Sequence, residues 1–390
     1  MKVALFNDSF PPTIDGVANA VQNYAQIITE NYGEAAVITP KYPNVTDDYD
    51  YKVYRFHSAK FLGKMPYRVG NPLSPKTLLT LKKEKFDVFH LHCPFASALL
   101  ARELIMGKED RPPVVFTYHT KYDMDIDKYV PTKEFRSIAK KFILNNIKFA
   151  DEVWAVSEGA AESLRTLGYK GDIVVMPNGT DFKLGKAKPE EISEIERMYL
   201  IQKDVPMFLF CGRMIWYKNL KLILDALKML SDSGIKYKAF FVGDGVDRAA
   251  VEQYAKNLDI YQNTVFTGAV YDRDRLKAFF TRADLFLFPS TYDTSGLVVK
   301  EAAACYTPSI LVKGSCASEG VEDGFSGVLC EESAEDFAKK LAELCKNPAT
   351  FEILGNNAAK HVYFSWEDSV ANAVKRYEHV IENHSKKKKK

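Results

Sequence analysis

The chain has 390 residues, which at roughly 150 residues per domain suggests two or three compact domains. Hydrophobic residues make up 46% and charged residues 27%, a balance that excludes wholesale disorder and fibrous repeats. Net charge is only +2, yet positions 52–148 carry 19 Lys and Arg against 9 Asp and Glu, an asymmetry that points to an anionic partner for that stretch, either a membrane surface or a polyanion.

The chain opens MKVALFNDSFPP, without the pattern of a signal peptide, and no apolar run approaches the roughly 18 residues that span a bilayer, so a cytoplasmic location is expected. Short runs that are apolar on successive residues then predict strands buried on both faces, the mark of a parallel sheet covered by helices. They are Val3 to Phe6, AAVIT (35–39), DVFHLH (87–92), PVVFTYH (113–119), EVWAVS (152–157) and DIVVMP (172–177). The plan repeats with MFLFCG (207–212), KAFFVGDG (238–245), TVFTG (264–268), ADLFLFPS (283–290) and PSILVKG (308–314). Helical spacing fills the intervals, as in Leu220, Ile223, Leu224, Leu227 and Leu230.

Both halves therefore read as α/β, doubly wound Rossmann-like domains, expected to face each other across a cleft. The expected boundaries are a first domain over 1–182, a Lys- and Glu-rich linker over 183–203, a second domain over 204–365, a helix over 366–385 that crosses back to the first domain, and a lysine tail over 386–390. Cys93, Cys211, Cys305, Cys316, Cys330 and Cys345 form no C-x-x-C pair and are expected as buried thiols.

Three turns carry candidate chemistry. After the first strand, Asp15-Gly16 precedes a helical pattern; glycine there permits close backbone approach to a ligand, and a plain tight turn fits equally. After MFLFCG, Arg213 and Lys218 flank a helix start, where a guanidinium and an ammonium suit a diphosphate or form a solvated basic turn. In FPSTYDTSGLVVKEAAAC (288–305), Asp293 lies in a loop and Glu301 on the following helix. Paired carboxylate oxygens suit vicinal sugar hydroxyls, and the N–H groups of Ser295, Gly296, Leu297 and Val298 start a helix able to meet an anion or sugar oxygen.

With these residues in order, the chain from Met1 to about His384 resembles the GT-B retaining glycosyltransferases of family 4, in particular their lipid (diacylglycerol) branch. Segment 288–305 is similar to the family's Glu-x7-Glu region, with Asp293 in place of the first glutamate and Ser295 in place of an aromatic. The resemblance implies that Arg213 and Lys218 hold the donor diphosphate, that Glu301 holds the ribose hydroxyls, and that His119 in TYHT lies near the donor sugar. FNDSFPPTIDGVA, PNGTD (177–181) and VGDG (242–245) look like further landmarks of the family.

It also implies a hexosyltransferase that keeps the anomeric configuration, takes a nucleotide-sugar donor and needs neither metal nor other cofactor. His90, His92, His119 and the neighbouring Cys93 invite a metal reading, as do Asp123, Asp125 and Asp127; hydrogen-bonded histidines lining the cleft and a solvated acidic loop are the expectation. In KEFRSIAKKFILNNIKF (133–149), Phe135, Ile138, Phe142 and Ile147 lie near one stripe, with Arg136, Lys140 and Lys141 largely elsewhere. An amphipathic helix packed on the sheet and a membrane-surface helix both fit. The segment 54–72, with Arg68, resembles the acceptor side of family members that glycosylate diacylglycerol, and Tyr122 falls in an acceptor-side loop.

The expected activity is transfer of glucose from UDP-glucose to a lipid such as diacylglycerol, peripherally at an anionic inner leaflet, with no nucleic-acid partner. The alternatives are GDP-mannose with a phosphatidylinositol lipid, a soluble or polysaccharide acceptor, a nucleotide-sugar epimerase of the same architecture, and a non-catalytic sugar-nucleotide sensor.

Overall fold

A computed structural model describes residues 1–13, 15–60, 68–202 and 204–388. The chain divides into two units, residues 1–178 together with the helix that starts at Trp366, and Gly179–Ser365. The first unit runs β1 (Lys2–Phe6), α1 (Gly16–Asn31), β2 (Glu34–Pro40), β3 (Lys52–Phe56), β4 (Ser58–Lys60), β5 (Arg68–Gly70), α2 (Pro75–Leu81), β6 (Val88–Leu91), α3 (Ala96–Ile105), β7 (Val114–Tyr118), α4 (Tyr122–Tyr129), α5 (Lys133–Ile147), β8 (Glu152–Ala155), α6 (Glu158–Leu167) and β9 (Val174–Val175). The second runs α7 (Pro189–Met198), β10 (Met207–Cys211), α8 (Leu220–Asp232), β11 (Lys238–Val242), α9 (Arg248–Asn257), β12 (Thr264–Gly268), α10 (Arg273–Arg282), β13 (Leu285–Phe288), α11 (Leu297–Ala304), β14 (Ser309–Val312), β15 (Val328–Cys330), α12 (Ala334–Lys346) and α13 (Ala349–His361), after which α14 (Trp366–Lys388) returns to the first unit.

Among the described residues, seven parallel strands pair in the order β3-β2-β1-β6-β7-β8-β9 in the first unit and six in the order β12-β11-β10-β13-β14-β15 in the second. Val3 to Phe6 and Leu285 to Phe288 are buried at consecutive positions, so both faces of these strands are covered and no alternation survives. In each sheet the winding reverses beside the first strand, between β1 and β6 and between β10 and β13. Open α/β sheets bind ligands at such switch points, outside the carboxyl ends of the strands.

Helix α14 completes the first core. Trp366, Val370, Ala373 and Tyr377 are buried, Tyr377 stacks on Trp154 at 5.3 Å, and Arg376 grips both oxygens of Glu152 at 2.7 Å.

Several expectations are corrected. The expected linker 183–203 lies inside the second unit, whose boundary falls after Asn178 and takes Gly179 to Asp181 with it. Within that segment α7 buries Ile195 in the second core, and the Ala187 N–H donates to Thr281 Oγ1 at 3.0 Å. DIVVMP pairs only at Val174–Val175, because β9 is the sheet edge. Strand β3 was not predicted: it lies at the opposite edge, and its apolar run is broken by Lys52, which is exposed, and by Arg55, whose guanidinium is engaged by Asp47. Asp123, Asp125 and Asp127 lie on helix α4 rather than in a loop. Residues 61–67 of the acceptor-side segment, and Lys389 and Lys390 of the tail, lie outside the described residues. No helix among the described residues is long and apolar enough to cross a membrane. Five of the six cysteines are buried, Cys345 is half-buried, and all are free thiols.

Candidate active site

In the second unit the switch point brings four loops together. Strand β10 ends at Gly212, and the chain turns through Arg213 into a short 3-10 turn, Trp216–Lys218, before α8. Lys218 is 7% exposed; its Nζ donates to Asp293 Oδ1 at 3.1 Å and lies 5.2 Å from the centre of the Phe288 ring. Ser290 Oγ donates to the other oxygen of Asp293. Arg213 is exposed and makes no hydrogen bond or ion pair among the described residues. The turn after β10 thus carries one cation held by a carboxylate and one exposed cation without a partner among the described residues.

The VGDG landmark has a packing reason. A Cβ at Gly243 would stand 2.0 Å from the Gly212 carbonyl oxygen, and Met214 N–H donates to Asp244 O at 2.9 Å, so backbone lies directly on backbone under the turn. Asn219, in the left-handed region at φ 59°, donates to Pro289 O and Glu332 Oε1 and ties this turn to the loop after β13.

That loop leads through Ser295 to Gly296, the residue before α11. Gly296 has φ +55°, and a Cβ there would meet Ala317 Cα at 2.9 Å, so the position requires glycine twice over. Helix α11 has no side-chain cap at its N-terminus, and the buried Ser295 Oγ has no hydrogen-bond partner among the described residues. Leu297 and Val298, half-buried, form its first turn. Such a terminus keeps its partial positive charge for a ligand.

Glu301, one turn further, is half-buried, its side chain 13% exposed, and loss of solvent pushes its carboxyl up while Arg273 opposes the rise. Arg273 Nη2 donates to Glu301 Oε1 at 2.8 Å. Lys218, Asp293, Ser295, Gly296, Leu297, Val298 and Glu301 thus share one sheet edge with Arg213.

The first unit differs in charge. Gly16 opens α1, but Asp15 caps that helix, accepting from Val17 and Ala18 N–H at 2.9 and 2.8 Å. A Cβ at Gly16 would meet nothing within 4 Å, so no close approach within the chain explains the glycine. At the other side of this switch point Asp8 receives the Ser97 N–H and hydroxyl at 3.0 and 2.7 Å, at the start of α3; burial still pushes its carboxyl up to about 6. Carboxylates of the chain itself therefore fill two helix N-termini in this unit, whereas α11 in the second unit is open.

His119 follows β7 and is buried, its Nε2 2.9 Å from His92 Nδ1; burial holds it down at about 3, so it is a neutral imidazole near neutral pH. His90 contacts Thr117 Oγ1 at 2.6 Å through Nε2 and the Tyr377 hydroxyl at 2.5 Å through Nδ1. Hydrogen bonds engage all three rings, although the buried His92 Nε2 has no partner among the described residues, and among those residues no group of three or more His, Cys, Asp or Glu is arranged to hold a metal ion. Asp123 accepts from Ser163 and Asp127 pairs with Lys140 at 3.1 Å, in separate contacts.

Tyr122 is buried against Tyr118 and Phe95, which pushes its phenol up. Arg68 is engaged within the β4–β5 hairpin, donating to Ser58 Oγ and O at 2.8 and 2.9 Å. On α5 the expected stripe splits. Ile147 is fully buried with Ile143, whereas Phe135, Ile138 and Phe142 are 61%, 61% and 41% exposed. Lys133, Arg136, Lys140 and Lys141 line a groove along the same helix; Arg136 Nε donates to Val130 O at 2.6 Å, and Lys141 makes no hydrogen bond or ion pair among the described residues.

Sequence reasoning quoted the segments that hold Asp8 and Asp181 but gave neither residue a role, and it missed Arg273. Their partners are 89, 92 and 28 residues away, and no local pattern joins them.

Two parallel-sheet Rossmann-like units in one chain are the architecture of the GT-B glycosyltransferases. Two family models match this chain, Glycosyltransferase Family 4 over residues 14–184 and Glycosyl transferases group 1 over residues 191–361, and the chain belongs to family 4 of the glycosyltransferases. It is similar to the alpha-monoglucosyldiacylglycerol synthase of Streptococcus pneumoniae, 24% identical over 383 residues covering 95% of this chain and 86% of that protein. It is also similar to the enzyme of the same name from Acholeplasma laidlawii, 26% identical and covering 93% and 94%. The fold matches the crystal structure of Anabaena HepE in complex with UDP and glucose with a TM-score of 0.75, at 19% identity over 97% of this chain and 99% of that one.

Proposed function

We propose that this chain is a retaining hexosyltransferase that moves glucose from UDP-glucose onto a hydroxyl of a membrane lipid, diacylglycerol in the first instance. The observation that carries the donor half is the switch point between β10 and β13, where the Lys218–Asp293 pair at 3.1 Å, the unpaired Arg213 and the uncapped start of α11 converge. Departure of the nucleoside diphosphate places growing negative charge on its outer phosphate, and fixed cations and N–H dipoles stabilise that charge as it forms. As proposed, the step draws this stabilisation from Arg213, Lys218 and α11, and uses no metal.

Asp293 orients Lys218 and offers an oxygen to the sugar, while Glu301 receives the ribose hydroxyls. His119, kept neutral by burial, serves the donor sugar as a hydrogen-bonding group rather than as a cation.

The acceptor half is supported by α5, whose exposed Phe135, Ile138 and Phe142 lie on the same helix as Lys133, Arg136, Lys140 and Lys141. Apolar side chains that insert and basic side chains that meet anionic head groups are what a peripheral membrane helix needs. The diacylglycerol glucosyltransferases named above support the same acceptor.

A donor panel with diacylglycerol in mixed micelles, with and without chelator, tests the reading. Released UDP with a glucosyldiacylglycerol product of retained configuration is expected in both conditions. Transfer only from GDP-mannose, an epimerised sugar without acceptor, or activity lost in chelator would each replace the corresponding part.

A further inference from the structure

Asp181, the last residue of PNGTD, has no part in the function proposed above. Its carboxylate pairs with Arg273 Nη2, and the same nitrogen donates to Glu301 Oε1 at 2.8 Å. The guanidinium carbon lies 4.1 Å from the centre of the Phe182 ring, so an aromatic face supports the cation while two carboxylates hold its edge. Phe182 is in turn buried, and its N–H donates to Thr180 Oγ1 at 3.2 Å. Arg273 is the first residue of α10, whose start is fixed by Asp272 accepting from Asp274 and Arg275 N–H. The guanidinium is therefore held from a loop, a ring and a helix start at once. Glu301 meets it with Oε1, whereas its Oε2 makes no hydrogen bond among the described residues.

We propose that Arg273 is the positioning residue for Glu301: it fixes the rotation of the carboxylate, so that Oε2 is presented to the vicinal hydroxyls of the donor ribose, and Asp181 and Phe182 hold Arg273 in that pose. The inference rests on the reading of Glu301 as the ribose-binding group. A free glutamate in a buried site loses its charge readily, and a protonated carboxyl accepts fewer hydrogen bonds from a diol. The groups that face Glu301 are Arg273 from α10, Asp181 from the PNGTD loop, Cys211 at the end of β10 and Cys305 just after α11. Arg273 favours the ionised form, while burial and Asp181 oppose it. Without Arg273 the carboxyl titrates higher, so ribose recognition fails first on the acid side.

The test compares binding of UDP and of 2′,3′-dideoxy-UDP, with the GDP pair in parallel, to the full chain by calorimetry between pH 5.5 and 8. The variants are Arg273→Gln, Arg273→Lys and Asp181→Asn, each checked by thermal unfolding. The wild-type chain is expected to prefer the ribonucleotide by at least about 10-fold, the worth of hydrogen bonds to a charged group. Arg273→Gln is expected to lose most of that preference, more at pH 5.5 than at pH 8, without weaker binding of the dideoxy form. Arg273→Lys restores it, and Asp181→Asn gives an intermediate loss. If the wild type discriminates and Arg273→Gln discriminates equally at every pH, Arg273 is only a structural staple and the inference is overturned. If the wild type binds both forms alike, the reading of Glu301 fails and takes the inference with it.

Discussion

Arg213 and Lys218 leave the same family motif with opposite physical situations, and the difference separates their variants. Arg213 is exposed and touches no partner among the described residues, so Arg213→Ala should change stability by no more than about 0.5 kcal/mol. Its turnover should nevertheless fall about 100-fold, the usual cost of removing one donor from a developing anion. Lys218 is buried on Asp293, so Lys218→Ala should lose similar activity and also about 1–3 kcal/mol of stability, because a carboxylate is left without its cation. Steady-state kinetics and urea unfolding on the two proteins check both halves; near-normal turnover in both removes the diphosphate role.

Histidine burial sets a pH dependence of its own. His90, His92 and His119 are all held well below the ordinary value of 6.5 by burial, His119 to about 3. The unfolded chain therefore binds protons that the folded chain refuses, and stability present above about 6.5 is lost as pH falls toward 3. Each such histidine should contribute about 2 kcal/mol of destabilisation between pH 7 and pH 5. Asp8, raised to about 6, acts with the opposite sign over its own window and offsets part of this loss. Urea midpoints at the two pH values should separate clearly for the wild type and less for His119→Asn. Individual site residues were legible where they sit in one short segment, as in 288–305. Arg273 was not, because a charged residue at a helix start looks like solvated surface until its partners arrive from 28 and 92 positions away.

Among the elements, α5 carries the clearest test of the acceptor side. Phe135, Ile138 and Phe142 contribute little to the core, so replacing all three with serine should leave the melting temperature nearly unchanged. Inserted side chains of this size are worth about 1–2 kcal/mol each, so vesicle binding should weaken by about 100-fold or more. Flotation with anionic liposomes at low and high salt reads this directly; undiminished binding of the triple variant would move the membrane contact off this helix. The pattern of residues showed that the helix is amphipathic but not which of its faces the core takes. Ile143 and Ile147 are buried instead, a choice made by packing against the first core rather than by periodicity. Central strands such as β10 and β13 were legible because both faces are apolar; edge strands such as β3 were not, since Lys52 and Arg55 break the apolar run. Helix α7 was taken for a linker because it anchors through few residues, chiefly Ile195, and is otherwise polar.

For the whole molecule, the two-unit α/β architecture followed from repetition of the same strand plan. The return of the C-terminal helix to the first unit was expected as well; the exact division was not, because the polar stretch 183–203 looks like a linker and belongs to the second unit, which begins at Gly179. Trp366 and Tyr377 are among the largest fully buried side chains, and both belong to the first unit. A chain ending at Ser365 should therefore unfold its first unit at a much lower temperature, or never fold it, while the second unit keeps its own transition. Calorimetry should resolve two transitions in that shortened chain, and a single unchanged transition would show that α14 is dispensable.

The placement of α14 also dictates an order of events during synthesis. Residues 1–178 leave the ribosome first, yet the helix that closes their core starts at Trp366 and emerges after Gly179–Ser365 is complete. The leading lobe must wait as an unfinished nascent body, its aromatic seam open, while the trailing lobe matures. A chain cut short before Trp366 would thus leave the earlier-made half without the helix that closes its core.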